Sequence, residues 1–574
     1  MSSDRVVTTT AFETTTLAQP SFDMLAALFS QKFLEYLNSL GQVPGGQIVL
    51  RYIKSSYKND PIRSLFELAL VIFALRYFLS SKKNENKSDI IDFTPKEVAA
   101  LCDEWEPGPL VEEVSPLERW QLNSVPLIRK HDQLHVLVLG KADQAVNLTS
   151  YDFLGLTNNK NIRDAAKKTI RDCGVGACGP PNFYGTQDVH VRLEEDLATF
   201  LDAERGLLYG QDFVTNGSVI PVFLKRGDLC VVDSGVNLSI QKALIVSRCD
   251  IEFFDHNNME SLERLLEELK PVLDKQKPLR RRFIVSEGLF SNSGDVIPLP
   301  EIVSLKNKFK YRLFLDESFS VGILGKTGKG VPEHFGIPRS EISITVGSLA
   351  RSFASSGGFC VGSVPMIHHQ KISSLAYVFS AALPPYCASV ASSAIKQITG
   401  SVDEKGHSKF ISSLQERISY IHNALCKQLP SKFLRVTSSE MSPIIHIALS
   451  ESYREQLNLP LYYGSANFLV TGKKASKGNQ FSHKYNVESF ILQKIIDKVL
   501  LDAGILITRS KDILEHENSP LEGPQLLLMI NNSVPFEVLD KVVNALATFS
   551  ENVLSHIDNE NDLFRLEKEL IEYE

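Results

Sequence analysis

The sequence predicts an α/β fold: a mostly parallel sheet covered by helices, followed by a smaller C-terminal α+β domain and preceded by N-terminal membrane-associated helices. Three observations lead there. Across residues 147–400, short β-rich runs (RGLLYG, LCVVD, RRFIVSE, YRLFLD, ISITVGS) alternate with helical stretches such as SLERLLEELKPVL, the pattern of strands joined by crossover helices. Beyond Gly400, the long helical pattern ISSLQERISYIHNALCKQL opens a second domain. Ahead of both lies an apolar run, residues 64–80.

Taken in order, residues 1–20 are rich in Thr and Ser and form a disordered leader, without the apolar core or cleavage site of a signal peptide. Over residues 21–40, Phe22, Leu25, Phe29, Phe33, Tyr36 and Leu40 recur at helical spacing with Asp23, Lys32 and Glu35 elsewhere, an amphipathic helix closed by VPGG. The run 64–80 is apolar except for Glu67 and Arg76. Its roughly 17 residues reach about 25 Å, so a single membrane crossing is expected if Arg76 snorkels, with an interfacial or core helix as the alternative. Basic residues on both sides leave its orientation open. Together residues 21–90 make an amphipathic helix and anchor. The polar linker KKNENKSD leads through an N-terminal arm, 91–146, to the large domain, 147–400. The small domain, 401–574, holds a polar insertion, TGKKASKGNQ, and ends in an acidic helical tail.

Composition narrows the function. A chain of 574 residues exceeds one compact core, and 43% hydrophobic with 22% charged residues is ordinary for a globular protein. A net charge of −7 over this length argues against a nucleic-acid partner. The 8 cysteines include no C-x-x-C pair, which indicates neither a metal site nor a disulfide framework and suits a reducing, cytosol-facing location. The glycosylation triplets at Asn147 and Asn237 are expected by chance.

Two segments carry chemistry. SVGILGKTG approaches a phosphate-binding loop, but Ser320 stands where the first glycine belongs, and Gly330 and Pro332 oppose the helix such a loop needs. The stretch VGSLARSFASSGG has the strand, small-residue loop and Gly-Gly pair that several enzymes use to present a lysine to pyridoxal phosphate. Its basic residue is Arg351. An arginine stays protonated and forms no Schiff base.

The segments NLTSYDFLGL, GVGACGPPNFYGTQDVH, LFLDESFSVGILGKTGKG, VGSLARSFASSGGF and FSAALPP occur in the order and spacing of the α-oxoamine synthases. The chain resembles that family, whose members are fold-type I pyridoxal-phosphate enzymes condensing an amino acid with an acyl-CoA. Through PGGQIVLRYIKSSYKNDP, WEPGPLV, GACGP and YGQDF it is most similar to the family's non-catalytic long-chain-base subunits of serine palmitoyltransferases.

The resemblance implies a vestigial cofactor slot. Asp316 takes the position that pairs with the pyridinium nitrogen, whereas Phe319 replaces a histidine that bonds the phenolic oxygen and Asn237 replaces the imidazole that stacks on the ring. Asp212 stands in the phosphate-cradling turn YGQDFV, where a carboxylate repels phosphate. Arg351 occupies the Schiff-base lysine slot, and PQLLLMINN has no arginine for a substrate carboxylate. No catalytic residue is therefore expected in this chain. Two placements of Arg351 stay open: it points to solvent, or it crosses the vacated cleft and pairs with Asp316, whose carboxylate would otherwise be buried unpaired.

The resemblance also implies that the family's active sites lie at a dimer interface. There Cys178 and Tyr184, on GACGPPNFYG, and Ser380, on FSAALPP, would serve the partner's site. Expected partners are a homologous catalytic subunit that binds pyridoxal 5'-phosphate covalently, small membrane regulatory subunits, and the endoplasmic reticulum membrane with the main domain facing the cytosol. Two other functions remain open at this point: an active homodimeric synthase using Lys326 or Lys329, and a pure membrane scaffold.

Overall fold

The computed structural model describes residues 39, 42, 44–79, 93–105, 108, 110–111, 113–132, 134–463, 483–512, 517 and 521–573. The leader, the helix expected over 21–40 apart from Ser39, the KKNENKSD linker and the TGKKASKGNQ insertion lie outside the described residues. The chain divides into two compact units, Met1–Glu112 and Glu113–Glu574.

The first unit holds the helices Gly46–Asn59, Pro61–Leu79 and Pro95–Glu104. Asp60 starts the second of these by accepting the N–H groups of Ile62 and Arg63, each at 3.1 Å. Four residues on, Glu67 accepts from Arg63 Nε at 3.0 Å. No helix among the described residues is long and apolar enough to cross a membrane, so the crossing expected over 64–80 is corrected. The reason lies in Pro61–Leu79 itself. Its 19 residues span about 28 Å, short of a hydrocarbon core of about 30 Å, and Arg63, Glu67 and Arg76 interrupt it. Large apolar side chains of this helix, among them Ile62, Phe66, Phe73 and Phe78, are nonetheless exposed.

In the second unit seven strands form the main sheet: β1 (Arg205–Tyr209), β2 (Leu229–Asp233), β3 (Asp250–Phe254), β4 (Arg282–Glu287), β5 (Arg312–Asp316), β6 (Ile344–Ser348) and β7 (Gly358–Gly362). Their order is β1-β7-β6-β5-β4-β2-β3. The pairs from β3 to β6 are parallel, and β7 runs antiparallel to both neighbours. Every residue of β2 and of β6 is buried, which is why these strands read as unbroken apolar or small-residue runs. A second sheet, all antiparallel, orders Leu434–Val436, Ile444–Leu449, Leu526–Met529 and Thr508–Arg509. The helical pattern after Gly400 is realised as Lys409–Gln428. One continuous apolar cluster runs from Leu313 in β5 to Ile445 and Leu546.

Two carboxylates fix the loop after β5, the one that approaches a phosphate-binding motif. Glu317, fully buried, pairs with Arg339 Nη1 at 3.0 Å and accepts the Ser320 hydroxyl at 3.0 Å and the Val331 N–H at 3.2 Å. A Cβ on Gly330 (φ +91°) would run into that carboxylate. A single helical turn, Val331–Phe335, does follow the loop, against expectation, with Pro332 tolerated in its first turn. The loop's amides face inward all the same: the Thr327 and Lys329 N–H groups donate to Glu333 at 3.1 and 2.9 Å. A carboxylate of the chain's own thus fills the anion seat.

Replacing Arg339 by Met leaves Glu317 buried and unpaired. The expected loss is about 3–5 kcal/mol of unfolding free energy, read from denaturant melts, whereas a loss under about 1 kcal/mol would mean that Glu317 is satisfied by its other donors alone.

Candidate functional site

The parallel strands end at a cavity of about 960 Å³. Ligand clefts of such sheets lie outside the carboxyl ends of the strands. Asp316 closes β5, and Arg351 follows β6 in the loop leading to β7. Asp212 and Asn237 stand at the starts of the helices Asp212–Phe223 and Leu238–Ser247, and Phe319 lies in the loop after β5. All five residues of the expected cofactor slot line this one cavity, together with Tyr151.

Arg351 pairs with Asp212, not with Asp316. Its Nη2 lies 3.0 Å from Asp212 Oδ2, and its guanidinium carbon sits 4.4 Å from the Tyr151 ring centroid and 4.7 Å from that of Phe319. The two rings meet edge to face at 5.4 Å. A guanidinium between two aromatic faces gains about 0.5–2 kcal/mol per ring, which helps to hold a half-buried cation whose Nε has no hydrogen-bond partner among the described residues. Burial pushes the Asp212 carboxyl up; Arg351 opposes that rise and Asp316 adds to it.

Asp316 is free to ignore Arg351 because other donors satisfy it. Its Oδ2 accepts the side-chain amides of Asn216 at 2.8 Å and Asn237 at 3.4 Å, and its Oδ1 accepts the Ser318 N–H at 2.9 Å. The expectation of an unpaired carboxylate fails because three short-range donors stand nearer than any arginine. Asn237 also caps its own helix by accepting the Ile240 N–H at 3.2 Å. Beneath them lies Glu287, held by the N–H groups of Asn237 and Ser291. Burial, then the neighbouring Asp316 carboxylate, pushes the Glu287 carboxyl up to about 8.

The cavity contains groups that sequence reasoning missed. His256 joins Asp233 at 2.7 Å and Asp295 at 3.3 Å. Against the desolvation of burial, those two carboxylates raise the imidazole to about 10. Against the same 291–295 segment, burial drives the His446 imidazole down to about 4, opposed by Gln525 Oε1 at 2.7 Å. Lys511 also lines the cavity, with its ammonium pushed down by burial and by Arg509. The lysines singled out from sequence do not line it: Lys326 is exposed, and Lys329 Nζ is held by Asp202 at 2.6 Å.

The residues present do not fit pyridoxal phosphate. The carboxylate that would meet the ring nitrogen is already engaged by three donors, the aromatic cage holds Arg351, and Asp212 stands where a phosphate would need neutral amides.

Cys178, Tyr184 and Ser380 lie elsewhere, on two joined loops. Ala382 N–H donates to the Gly179 carbonyl at 2.9 Å, which ties GACGPPNFYG to FSAALPP. All three side chains are exposed, Tyr184 at 75%, and Cys178 holds a left-handed backbone (φ 53°). Around them Phe183, Phe213, Leu375 and Phe379 are exposed as well.

The family model for aminotransferase class I and II matches residues 143–462. Serine palmitoyltransferase 1 of Saccharomyces cerevisiae is 38% identical over 538 residues, covering 91% of this chain and 94% of the relative. Serine palmitoyltransferase 1 of Dictyostelium discoideum is 34% identical over 509 residues, covering 88% and 98%. Among solved structures, SPT with PLP internal aldimine gives a TM-score of 0.61 at 19% identity, covering 76% of this chain and 96% of that one. Sphingomonas wittichii serine palmitoyltransferase gives 0.60 at 18%, covering 80% and 96%. At such identities the structural likeness establishes the fold: a fold-type I, pyridoxal-phosphate-dependent architecture.

His446 supplies a test of the cavity wall. Its folded value near 4 lies below the ordinary 6.5, so the unfolded chain takes up the proton first. The stability it contributes is present above pH 6.5 and is lost as pH falls from 6.5 toward 4, about 3 kcal/mol in all. In His446→Gln the slope of unfolding free energy against pH should flatten across that window; an unchanged slope would place the titrating group elsewhere.

Proposed function

The chain belongs to the serine palmitoyltransferase 1 family within the class I and II aminotransferases, and from that premise we propose that it is the non-catalytic subunit of serine palmitoyltransferase. The reaction served is the condensation of L-serine with palmitoyl-CoA to 3-oxosphinganine, the first step of sphingolipid biosynthesis. One observation carries the reading. Where the chemistry needs an amine, this chain has Arg351, caged by Tyr151 and Phe319 and paired with Asp212. A guanidinium has no usable lone pair at any cellular pH. The lysine and the pyridoxal phosphate therefore belong to a homologous partner subunit.

What this chain contributes is a surface. The exposed apolar side chains of Phe183, Phe213, Leu375 and Phe379 suit an obligate partner, and the exposed groups of Cys178, Tyr184 and Ser380 stand among them on loops joined backbone to backbone. Binding there orients the partner's substrates and excludes water. We place the complex at the endoplasmic reticulum membrane with its main domain in the cytosol and with small membrane subunits as further partners. The exposed apolar residues of Pro61–Leu79 support attachment along the membrane interface.

A synthase active by itself would need a cavity lysine, and Lys511 is the side chain that would have to serve. Both readings are decided by one reconstitution. With a lysine-bearing partner the wild-type chain should support 3-oxosphinganine formation, and with a partner lacking its lysine there should be none, even after Arg351→Lys. The restored amine would still face an Asp316 held by three other donors, the Asp212 carboxylate and no stacking imidazole at Asn237, contacts worth roughly 1–3 kcal/mol each. Product from the lysine-less pair would overturn the non-catalytic assignment.

A further inference from the structure

The two loops that carry Cys178, Tyr184 and Ser380 leave the body of the unit from different places, one ahead of the helix Asp188–Phe200 and one ahead of the helix Pro385–Gly400. Their backbones are packed with little freedom. A Cβ on Gly185 would strike the Gly179 carbonyl, and one on Gly210 would come within 3.0 Å of the Ala381 carbonyl. Besides the bond from Ala382 to Gly179, one side chain spans them. His190, 4% exposed, accepts the Gln187 N–H on Nδ1 at 2.9 Å and meets the Leu383 carbonyl with Nε2 at 2.6 Å.

A backbone N–H pointing at Nδ1 leaves that nitrogen as an acceptor, so the ring proton resides on Nε2 and is donated to Leu383. The neutral imidazole offers an acceptor and a donor at opposite edges of one rigid ring. We propose that His190 is a positioning residue: a neutral imidazole clasp that holds loops 174–187 and 379–385 in one arrangement, and so sets where Cys178, Tyr184 and Ser380 stand in the partner's active site.

Burial favours the neutral ring this clasp requires, against the Leu383 carbonyl and the nearby Asp188 carboxylate, which favour the charged form. Losing the clasp frees the loops to shift against each other without unpacking the apolar face around them. Displacement of about 1 Å at reacting groups costs on the order of a hundredfold in rate. The effect therefore falls on turnover and not on assembly.

The proposal rests on the two-subunit reading above, and its test separates the two. The full-length chain and its His190→Leu and His190→Gln variants are reconstituted with the lysine-bearing partner. Complex yield, kcat and KM are then measured for each. The clasp predicts that His190→Leu assembles normally, keeps KM within about twofold and loses about tenfold or more in kcat. His190→Gln, whose amide can still donate to Leu383, should regain part of the loss. Unchanged kcat in His190→Leu overturns the clasp, as does a loss in KM or yield alone. If His190→Leu does not fold, His190→Gln decides by the same readings. Nitrogen-15 histidine spectra of the wild-type chain are the second arm: the proton must reside on Nε2, and an Nδ1–H tautomer overturns the clasp. Should the wild-type chain fail to activate the partner, the two-subunit reading falls, and the spectra still decide the clasp.

Discussion

Arg351 and Asp212 face each other at 3.0 Å inside a cleft whose other walls are already committed. A charge taken out of water has to find a partner or lose its proton, and an arginine cannot lose its proton. Much else in the cleft follows from that constraint. Tyr151 and Phe319 give the guanidinium two ring faces, and the loop between β6 and β7 brings it there. Asp212, which alone would drift upward with burial, keeps a cation beside it. The arrangement makes a cleft shaped for a bound cofactor self-sufficient.

The same economy of partners recurs nearby. Asp316 is satisfied by two asparagine amides and a backbone N–H, Glu333 fills the amides of the Gly-rich loop, and Glu317 is neutralised by Arg339. Internal groups occupy the anion and cation seats on this side of the molecule. On the loop face the pattern reverses: Phe183, Tyr184, Leu375 and Phe379 present large exposed side chains. Carboxylates paired in and beside the cleft and large apolar side chains left exposed on the loop face are the two features that support the proposed role beside a partner.

Sequence made the strands around this cleft visible because β2, β4, β5 and β6 are buried on both faces and read as apolar runs. It did not single out β7, GFCVG, whose terminal glycines break the run, or β3, whose half-buried positions dilute it. The five slot residues were legible as a set through the family resemblance, since each falls within a segment whose motif matches. Their pairing was not. Asp212 and Asp316 are both acids at element ends, and only the asparagines at 216 and 237, brought in from two helices, decide which of them Arg351 needs. His256, His446 and Lys511 carried no local signal, because each enters the cavity from a segment with no motif of its own. The apolar run 64–80 misled as a spanning helix, since snorkelling of Arg76 does not offset a helix, Pro61–Leu79, that is short and carries Arg63 as well as Glu67.

The most direct measurement of the central claim is the thermal stability of the purified chain alone against rising pyridoxal phosphate. A ligand that binds only the folded state adds RT ln(1 + [L]/Kd) to stability, about 2.7 kcal/mol at a hundredfold excess over Kd. With Arg351 seated between Tyr151 and Phe319 the midpoint should stay where it is at every concentration. A saturable rise in the midpoint would contradict the account.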